Sequence, residues 1–210
     1  ARIAELADAR PDLVQVTTVG PAAHWEDAKS ADDIPQMVTL TSGRHAVGDD
    51  GSLKMVVLYV AGEHGRELIT SEVTLRLLED IVASTPVNAV ATDSTSSKEA
   101  WYSALMRNVE LIVIPNLTPW SRMRAEAGDA CMRKNEKQVD LNRNWDYLWN
   151  QDKNSVRART PKDEQYPGPT AFSEVQSQAL RDAAVAARPT LFANIHSGIE
   201  EMYMGWDHKP

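Results

Sequence analysis

Apolar residues along this chain follow two different spacings. Short, nearly continuous apolar runs predict buried strands, and longer stretches with apolar residues three and four apart predict amphipathic helices. The predicted strands are Leu13–Val19, Met37–Thr41, Lys54–Val60, Val109–Ile114 and Thr190–Ile195. The predicted helices are Ile3–Ala9, Glu67–Ser84, Lys98–Met106 and Ser173–Ala187, with Ser173 capping the last helix and Pro189 following its end.

This alternation of strands and helices indicates an α/β fold, with a mixed, largely parallel twisted sheet flanked by helices. The length of 210 residues suits a single domain, residues 1–210. The polar stretches Thr41–Gly51 and Val87–Ser97 are predicted surface loops. Residues 116–169 show little periodicity, and so long an irregular stretch in a compact domain usually carries functional residues.

Candidate metal chemistry lies just after two of the predicted strands. His64 and Glu67 are three residues apart where the strand ending at Val60 turns into a helix, so both side chains can reach one ion. His196 directly follows the strand that ends at Ile195. Because α/β sheets bind ligands at the carboxyl ends of their strands, these three residues predict one crevice. Two histidines and a carboxylate match the ligand count of a catalytic zinc site.

The other histidines fit this site poorly. His24, His45 and His208 lie in polar or loop-like surroundings, and none has a carboxylate at ligand spacing after a buried strand. We predict that all three are surface or loop residues.

A second group of polar residues separates the two parts of the predicted metal site. Asp140–Trp145 contains an acid, two amides, an arginine and an indole, and Arg133-Lys134 precedes it. An arginine fork beside an amide suits the bidentate binding of a carboxylate. The structural alternative is a hydrogen-bonded loop in which Trp145 covers the core.

Together these segments resemble the zinc metallocarboxypeptidases related to pancreatic carboxypeptidases A and B. The resemblance is carried, in chain order, by His64-Gly65-Arg66-Glu67, Met132-Arg133-Lys134-Asn135, Asn142-Arg143-Asn144-Trp145 and Ile195-His196-Ser197. It spans most of the chain and implies the family's fold and a hydrolase that uses zinc. It also favours a secreted or vesicular location.

Carried over residue by residue, the resemblance implies a role for each candidate. It implies that His64, Glu67 and His196 bind zinc and that Asp140 orients His64. Arg133 would polarise the scissile carbonyl, and Arg66 would contact upstream substrate residues. Asn142 and Arg143 would bind the substrate's terminal carboxylate. The implied partner is the C-terminus of a peptide or protein.

The family's proton acceptor is a glutamate well beyond the second zinc histidine, and no position up to Pro210 matches it. Glu63, Glu200 and Glu201 are instead interpreted as loop acids. The apolar run Met202–Trp206 needs a core to cover it, so we expect an incomplete catalytic domain, completed by missing sequence or by a second chain.

Two further functions stay open on this reasoning. One is a zinc-dependent deacylase or deglutamylase on the same scaffold, and the other is a zinc-binding structural protein without the proton acceptor. The net charge of −8 argues against nucleic-acid binding. No stretch approaches the roughly 20 apolar residues of a membrane span.

Overall fold

The structure is a computed structural model that describes residues 2–41, 51–85, 97–149 and 160–204. Most of the two predicted surface loops, together with His45 and His208, lies outside the described residues. The strands are β1 (Val14–Thr18), β2 (Gln36–Leu40), β3 (Met55–Val60), β4 (Val109–Ile114) and β5 (Leu191–Asn194). The α-helices are α1 (Arg2–Ala9), α2 (Leu68–Ser84), α3 (Ser97–Asn108), α4 (Pro119–Glu126) and α5 (Val175–Ala187).

The five strands form one mixed sheet in the order β1-β2-β4-β3-β5. β4, β3 and β5 run parallel, while β2 pairs antiparallel with both β1 and β4. The chain leaves β3 for β4 on one side and later returns to β5 on the other side. The sheet order therefore reverses at β3, which places a crevice at the carboxyl ends of β3 and β5.

Apolar side chains cover both faces of the sheet. Strand β4 shows the alternation directly: Leu111 and Val113 pack with α2 and α3 on one face, whereas Ile112 and Ile114 pack against α5 on the other. Trp25 and Leu141 belong to the apolar cluster on the face covered by α5. The predicted α/β fold with helices on both faces is confirmed.

The predicted elements match the observed ones closely, apart from two differences. α4 lies within residues 116–169, which were predicted to be irregular. The helix was not predicted because it has too few apolar positions to show a helical period. α5 begins at Val175 rather than Ser173, with Glu174 at the N-cap and no side-chain cap bond. The Ser173 hydroxyl instead donates to Glu174 Oε1 and accepts a hydrogen bond from Asn144 Nδ2.

Two further findings relate to the apolar segments of the sequence. Met202, Tyr203 and Met204 are exposed, as expected of an apolar run without a covering core. Among the described residues, no helix combines the length and the apolar character needed to cross a membrane.

Candidate metal centre

The loop after β3 is held against the loop after β4. Thr118 donates from its backbone N–H and its hydroxyl to the carbonyl of Gly62. Gly62 has a φ of +64°, and a Cβ there would lie 2.7 Å from Asn116 Oδ1, so a larger residue would strain the turn. A Cβ on Gly65 would clash with the carbonyl oxygen of Ser121 in α4. These close contacts fix the backbone on both sides of His64.

The three predicted ligands converge on one point. Nδ1 of His64 lies 2.8 Å from Glu67 Oε1, and Nδ1 of His196 lies 3.0 Å from Glu67 Oε2. The two Nδ1 atoms are 3.2 Å apart. Tetrahedral zinc with ligand bonds of about 2.0–2.1 Å separates its ligand atoms by about 3.3 Å. The three side chains therefore have the spacing of a zinc site.

The chemistry of this contact also fits a cation. Two neutral imidazoles whose Nδ1 lone pairs face each other repel, and two protonated rings repel as like charges, so without a cation one ring must be protonated and donate its Nδ1–H. The guanidinium Nη1 of Arg133 adds a further donor 3.3 Å from His64 Nδ1. A metal ion between both Nδ1 atoms and the Glu67 carboxylate would remove this conflict, so the residues present fit zinc.

The protonation of these side chains reflects the same crowding. Burial tends to raise the pKa of Glu67, but hydrogen bonds from His196 and His64 outweigh it and lower that pKa to about 2. Burial tends to lower the pKa of His196, but hydrogen bonds to Glu63 and Glu67 outweigh it and raise that pKa to about 9. Without metal, the cluster is thus held by a carboxylate anion and an imidazolium.

His64 is supported from its outer side by Asp140. The Asp140 side chain is fully buried, and its Oδ1 lies 3.1 Å from His64 Nε2. Arg133 donates to Asp140 Oδ2 from Nε at 3.0 Å and from Nη2 at 2.8 Å. Asp140 also caps the short 3₁₀ helix Leu141–Arg143, accepting from the N–H of Asn142.

Asp140 remains ionised in this setting. Burial tends to raise the pKa of its carboxyl, but the bond to His64 and the charge of Arg133 outweigh it and lower that pKa. An ionised carboxylate that holds Nε2–H leaves Nδ1 of His64 facing the proposed metal.

The predicted substrate residues lie at different distances from this centre. The Asn142 amide nitrogen is 3.5 Å from His196 Nε2. Arg143 donates from Nη1 to the Asn142 carbonyl at 3.1 Å and, within the described ranges, has no acidic partner. Arg66 instead pairs with the exposed Glu164, Nη1 to Oε1 at 2.7 Å. The Arg66 side chain, which is partly exposed, thus pairs with a residue of another loop rather than with the candidate metal ligands.

The loop Asp140–Trp145 combines both of the readings that its sequence allowed. Trp145 packs edge-on against Phe172 and Phe192, so it covers part of the core, while Asp140 and Asn142 reach the candidate centre. His24, predicted to be a loop residue, lies on a 3₁₀ helix with Nε2 2.8 Å from Asp182 Oδ2.

Glu63 is the functional candidate that sequence reasoning passed over. It lies in the loop after β3 as expected, but it is 1% exposed, and its Oε2 is 3.3 Å from His196 Nε2. One donor atom each of Glu63, His64 and His196 lies within 4.8 Å of the others, so this trio is also placed to hold a metal. Glu63 contacts the Nε2 edge of His196, whereas Glu67 lies where the two Nδ1 atoms meet, so Glu67 fits the ligand role better.

Comparisons with known proteins agree with this geometry. The sequence profile of the family described as zinc carboxypeptidase matches residues 1–210. The chain therefore belongs to the zinc carboxypeptidase family, and the sequence-based resemblance is confirmed. Zinc is the cofactor of this family.

Individual relatives show the extent of the similarity. The chain is 26% identical over 165 residues to carboxypeptidase B of Astacus astacus, which covers 72% of this chain and 48% of the relative. It is 30% identical over 129 residues to a zinc carboxypeptidase of Simulium vittatum, covering 60% of this chain and 39% of the relative. The chain thus spans less than half the length of these relatives.

Structural similarity has the same extent. The crystal structure of carboxypeptidase A from Helicoverpa armigera superposes with a TM-score of 0.69 and 25% identity, over 93% of this chain and 44% of that structure. None of these comparisons supports a second chain that completes the domain.

Proposed function

We propose that this protein is a zinc-dependent metallocarboxypeptidase that hydrolyses the C-terminal peptide bond of peptides or proteins. The observation that carries the proposal is the convergence of two imidazole Nδ1 atoms and one carboxylate at mutual distances of 2.8–3.2 Å. Family membership supports the reaction class. His64, Glu67 and His196 are the proposed zinc ligands.

Zinc, when bound, acts as a Lewis acid toward a carbonyl and lowers the pKa of a coordinated water from about 15.7 to about 7. The protein's part is to hold three ligands and leave a further position open for water or substrate. Asp140 orients His64 for this role through the contact with Nε2.

Arg133 is the proposed electrophilic residue. Two of its guanidinium nitrogens are held by Asp140, which leaves Nη1 beside His64 Nδ1 at 3.3 Å. A donor fixed next to the metal ligands is placed to bind the oxygen that gains charge when the scissile carbonyl is attacked. Because Asp140 fixes the guanidinium beforehand, little reorganisation is needed during the reaction.

Asn142 and Arg143 are the proposed anchor for the substrate's terminal carboxylate. Both follow Asp140 on the 3₁₀ helix, so the acid that orients His64 also places the anchor. Within the described ranges the Arg143 guanidinium meets only a backbone carbonyl, which leaves most of its donors available for a carboxylate. Arg66, paired with Glu164, is proposed to contact upstream substrate residues.

Amide hydrolysis also requires a group that takes a proton from water and passes it to the leaving amine. We assign this proton acceptor to none of residues 1–210.

The test compares the hydrolysis of peptides that have a free C-terminal carboxylate with that of the same peptides amidated at the C-terminus. In the protein at its natural length, Arg143→Ala should lower kcat/KM for a peptide with a free C-terminal carboxylate by at least about tenfold, because a charged hydrogen-bonded pair is lost. The same change should alter hydrolysis of the C-terminally amidated peptide much less.

Arg124→Ala is the matched control, since Arg124 lies on α4 and stacks on Trp120 of the same helix. Equal losses for the two peptides would remove Arg143 from the anchor. Hydrolysis of acylated amino acids without cleavage of longer peptides would replace the carboxypeptidase proposal with a deacylase.

A further inference from the structure

Glu63 occupies an unusual position for a carboxylate. Glu63 is 1% exposed, and its Oε1 has no hydrogen-bond partner among the described residues. Burying a carboxylate with an unsatisfied oxygen opposes folding, so an apolar residue here would be the more stable choice. The carboxylate therefore calls for an explanation beyond packing.

Among the described residues, the polar contacts of the Glu63 carboxylate go through its other oxygen. Asn194 Nδ2 donates to Oε2 at 2.7 Å, and Nε2 of His196 lies 3.3 Å from the same atom. Asn194 is the last residue of β5, and His196 follows it by two positions. Glu63 thus joins the loop after β3 to the end of the neighbouring parallel strand.

This arrangement parallels the support of His64. There the buried Asp140 contacts Nε2 of the ring while Nδ1 faces the proposed metal, and a donor side chain, Arg133, holds the acid. At His196 the buried Glu63 contacts Nε2, Nδ1 faces Glu67 and His64, and Asn194 holds the acid. A competing contact to Nε2 comes from the Asn142 amide at 3.5 Å, near the outer limit for a hydrogen bond.

We propose that Glu63 is a positioning residue for His196: its Oε2 accepts the Nε2–H of the ring, fixes the tautomer that presents Nδ1, and so tightens zinc binding. The inference rests on the proposed zinc-ligand role of His196. Glu63 acts through His196 and does not itself bind the metal.

The unsatisfied Oε1 makes a sharp test possible. In Glu63→Gln, an amide oxygen at the position of Oε2 can keep the contacts to Asn194 and His196, and the NH₂ group takes the place of an oxygen that has no partner. Glu63→Ala removes both contacts. Positioning predicts that Glu63→Ala weakens zinc binding by about 10- to 100-fold, while the affinity of Glu63→Gln stays within about threefold of wild type.

The measurement is the zinc dissociation constant of the purified protein by competition with a chelating indicator, for wild type, both Glu63 variants and Asn194→Ala. Asn194→Ala should weaken zinc binding less than Glu63→Ala, because it frees Glu63 without removing it. Glu26→Gln, a change at an exposed acid, is the control and should leave the affinity unchanged.

A second readout is independent of affinity. Two-dimensional ¹H–¹⁵N spectra of the side chains of zinc-loaded protein should show the Nε2–H of His196 in wild type and Glu63→Gln, and its faster exchange with solvent in Glu63→Ala. If Glu63→Ala does not fold, Glu63→Gln and Asn194→Ala still report on the contact.

The outcomes separate the two proposals. Wild-type protein that binds no zinc would overturn the proposed function itself. Wild-type zinc binding with unchanged affinity in Glu63→Ala would overturn positioning alone. A loss in Glu63→Gln as large as in Glu63→Ala would make Glu63 a metal ligand and overturn positioning as well.

Discussion

His64 and His196 follow adjacent parallel strands, yet the protein supports them in different ways. The His64 side chain is 2% exposed, and its acid, Asp140, is held by two bonds from Arg133 and by the start of a 3₁₀ helix. The His196 side chain is 30% exposed, and its acid, Glu63, is held by one bond from Asn194. Among the described residues, the acid behind His64 is thus fixed by a network, and the carboxylate behind His196 is held by one hydrogen bond from another side chain.

The comparison shows how one site can combine rigidity with access. The network around His64 also fixes Arg133 and places Asn142 and Arg143, so it organises the proposed catalytic and anchor residues together. The partly exposed side of His196 is where we expect the proposed substrate to approach. We expect damage on the His64 side to affect zinc, stability and substrate binding at once.

The largest expected effect is the removal of His64 itself. His64→Ala should reduce bound zinc from about one ion per chain to well below 0.1, because only Glu67 and His196 then remain as proposed protein ligands. Metal analysis after dialysis measures this directly.

His24→Ala is the matched control, because His24 pairs with Asp182 away from the centre. It should keep its zinc. Full retention of zinc by His64→Ala would show that His64 lies outside the coordination shell.

The next effect concerns the network that supports His64. Asp140→Ala leaves the Arg133 guanidinium, 13% exposed, without its partner and should lower the free energy of unfolding by about 3–5 kcal/mol. Zinc affinity should also fall by about 10- to 100-fold. Urea unfolding of metal-free protein and zinc competition give the two values.

Asp182→Ala, which breaks the more exposed pair with His24, should change stability by no more than about 1 kcal/mol. If Asp140→Ala is as mild as this control, the two histidines do not differ in support as described.

The smallest expected effect is a pH dependence of the metal-free protein. The pKa of His196 is raised from 6.5 to about 9, so the stabilising protonated form is fully present below about pH 6.5 and is lost as pH rises through about 9. The unfolding free energy should therefore fall by up to about 3 kcal/mol between pH 6 and pH 9.5. His196→Gln should remove most of this fall.

With zinc present, the unfolding free energy should instead rise with pH near neutrality. Binding requires deprotonated imidazoles, so zinc affinity should rise as pH rises toward about 9. Urea unfolding with a chelator and with zinc compares the two states. A metal-free protein that gains stability over this range would contradict the structure around His196.

Much of this organisation was predictable from particular residues. The apolar runs identified every strand of the described sheet, and the position of His64 and His196 just after two of them predicted their meeting, because parallel strands end at one edge. The helix α4 was not predicted because it has too few apolar positions to show a helical period, and the start of α5 was misplaced because Ser173 contacts Asn144 and Glu174 instead of capping the helix.

Sequence by itself determined the fold class, the family and the residue types of the metal centre, because hydrophobic periodicity and short motifs are local properties of the chain. The family resemblance had already implied that Asp140 orients His64, whereas only the tertiary structure paired Glu63 with His196. Asp140 lies 76 positions from His64, and Asn194 lies 131 positions from Glu63. Such contacts depend on strand order and on the close packing of loops such as Gly65 on Ser121, and no local pattern records them. Glu63 therefore read as an ordinary loop acid until the fold buried it beside His196.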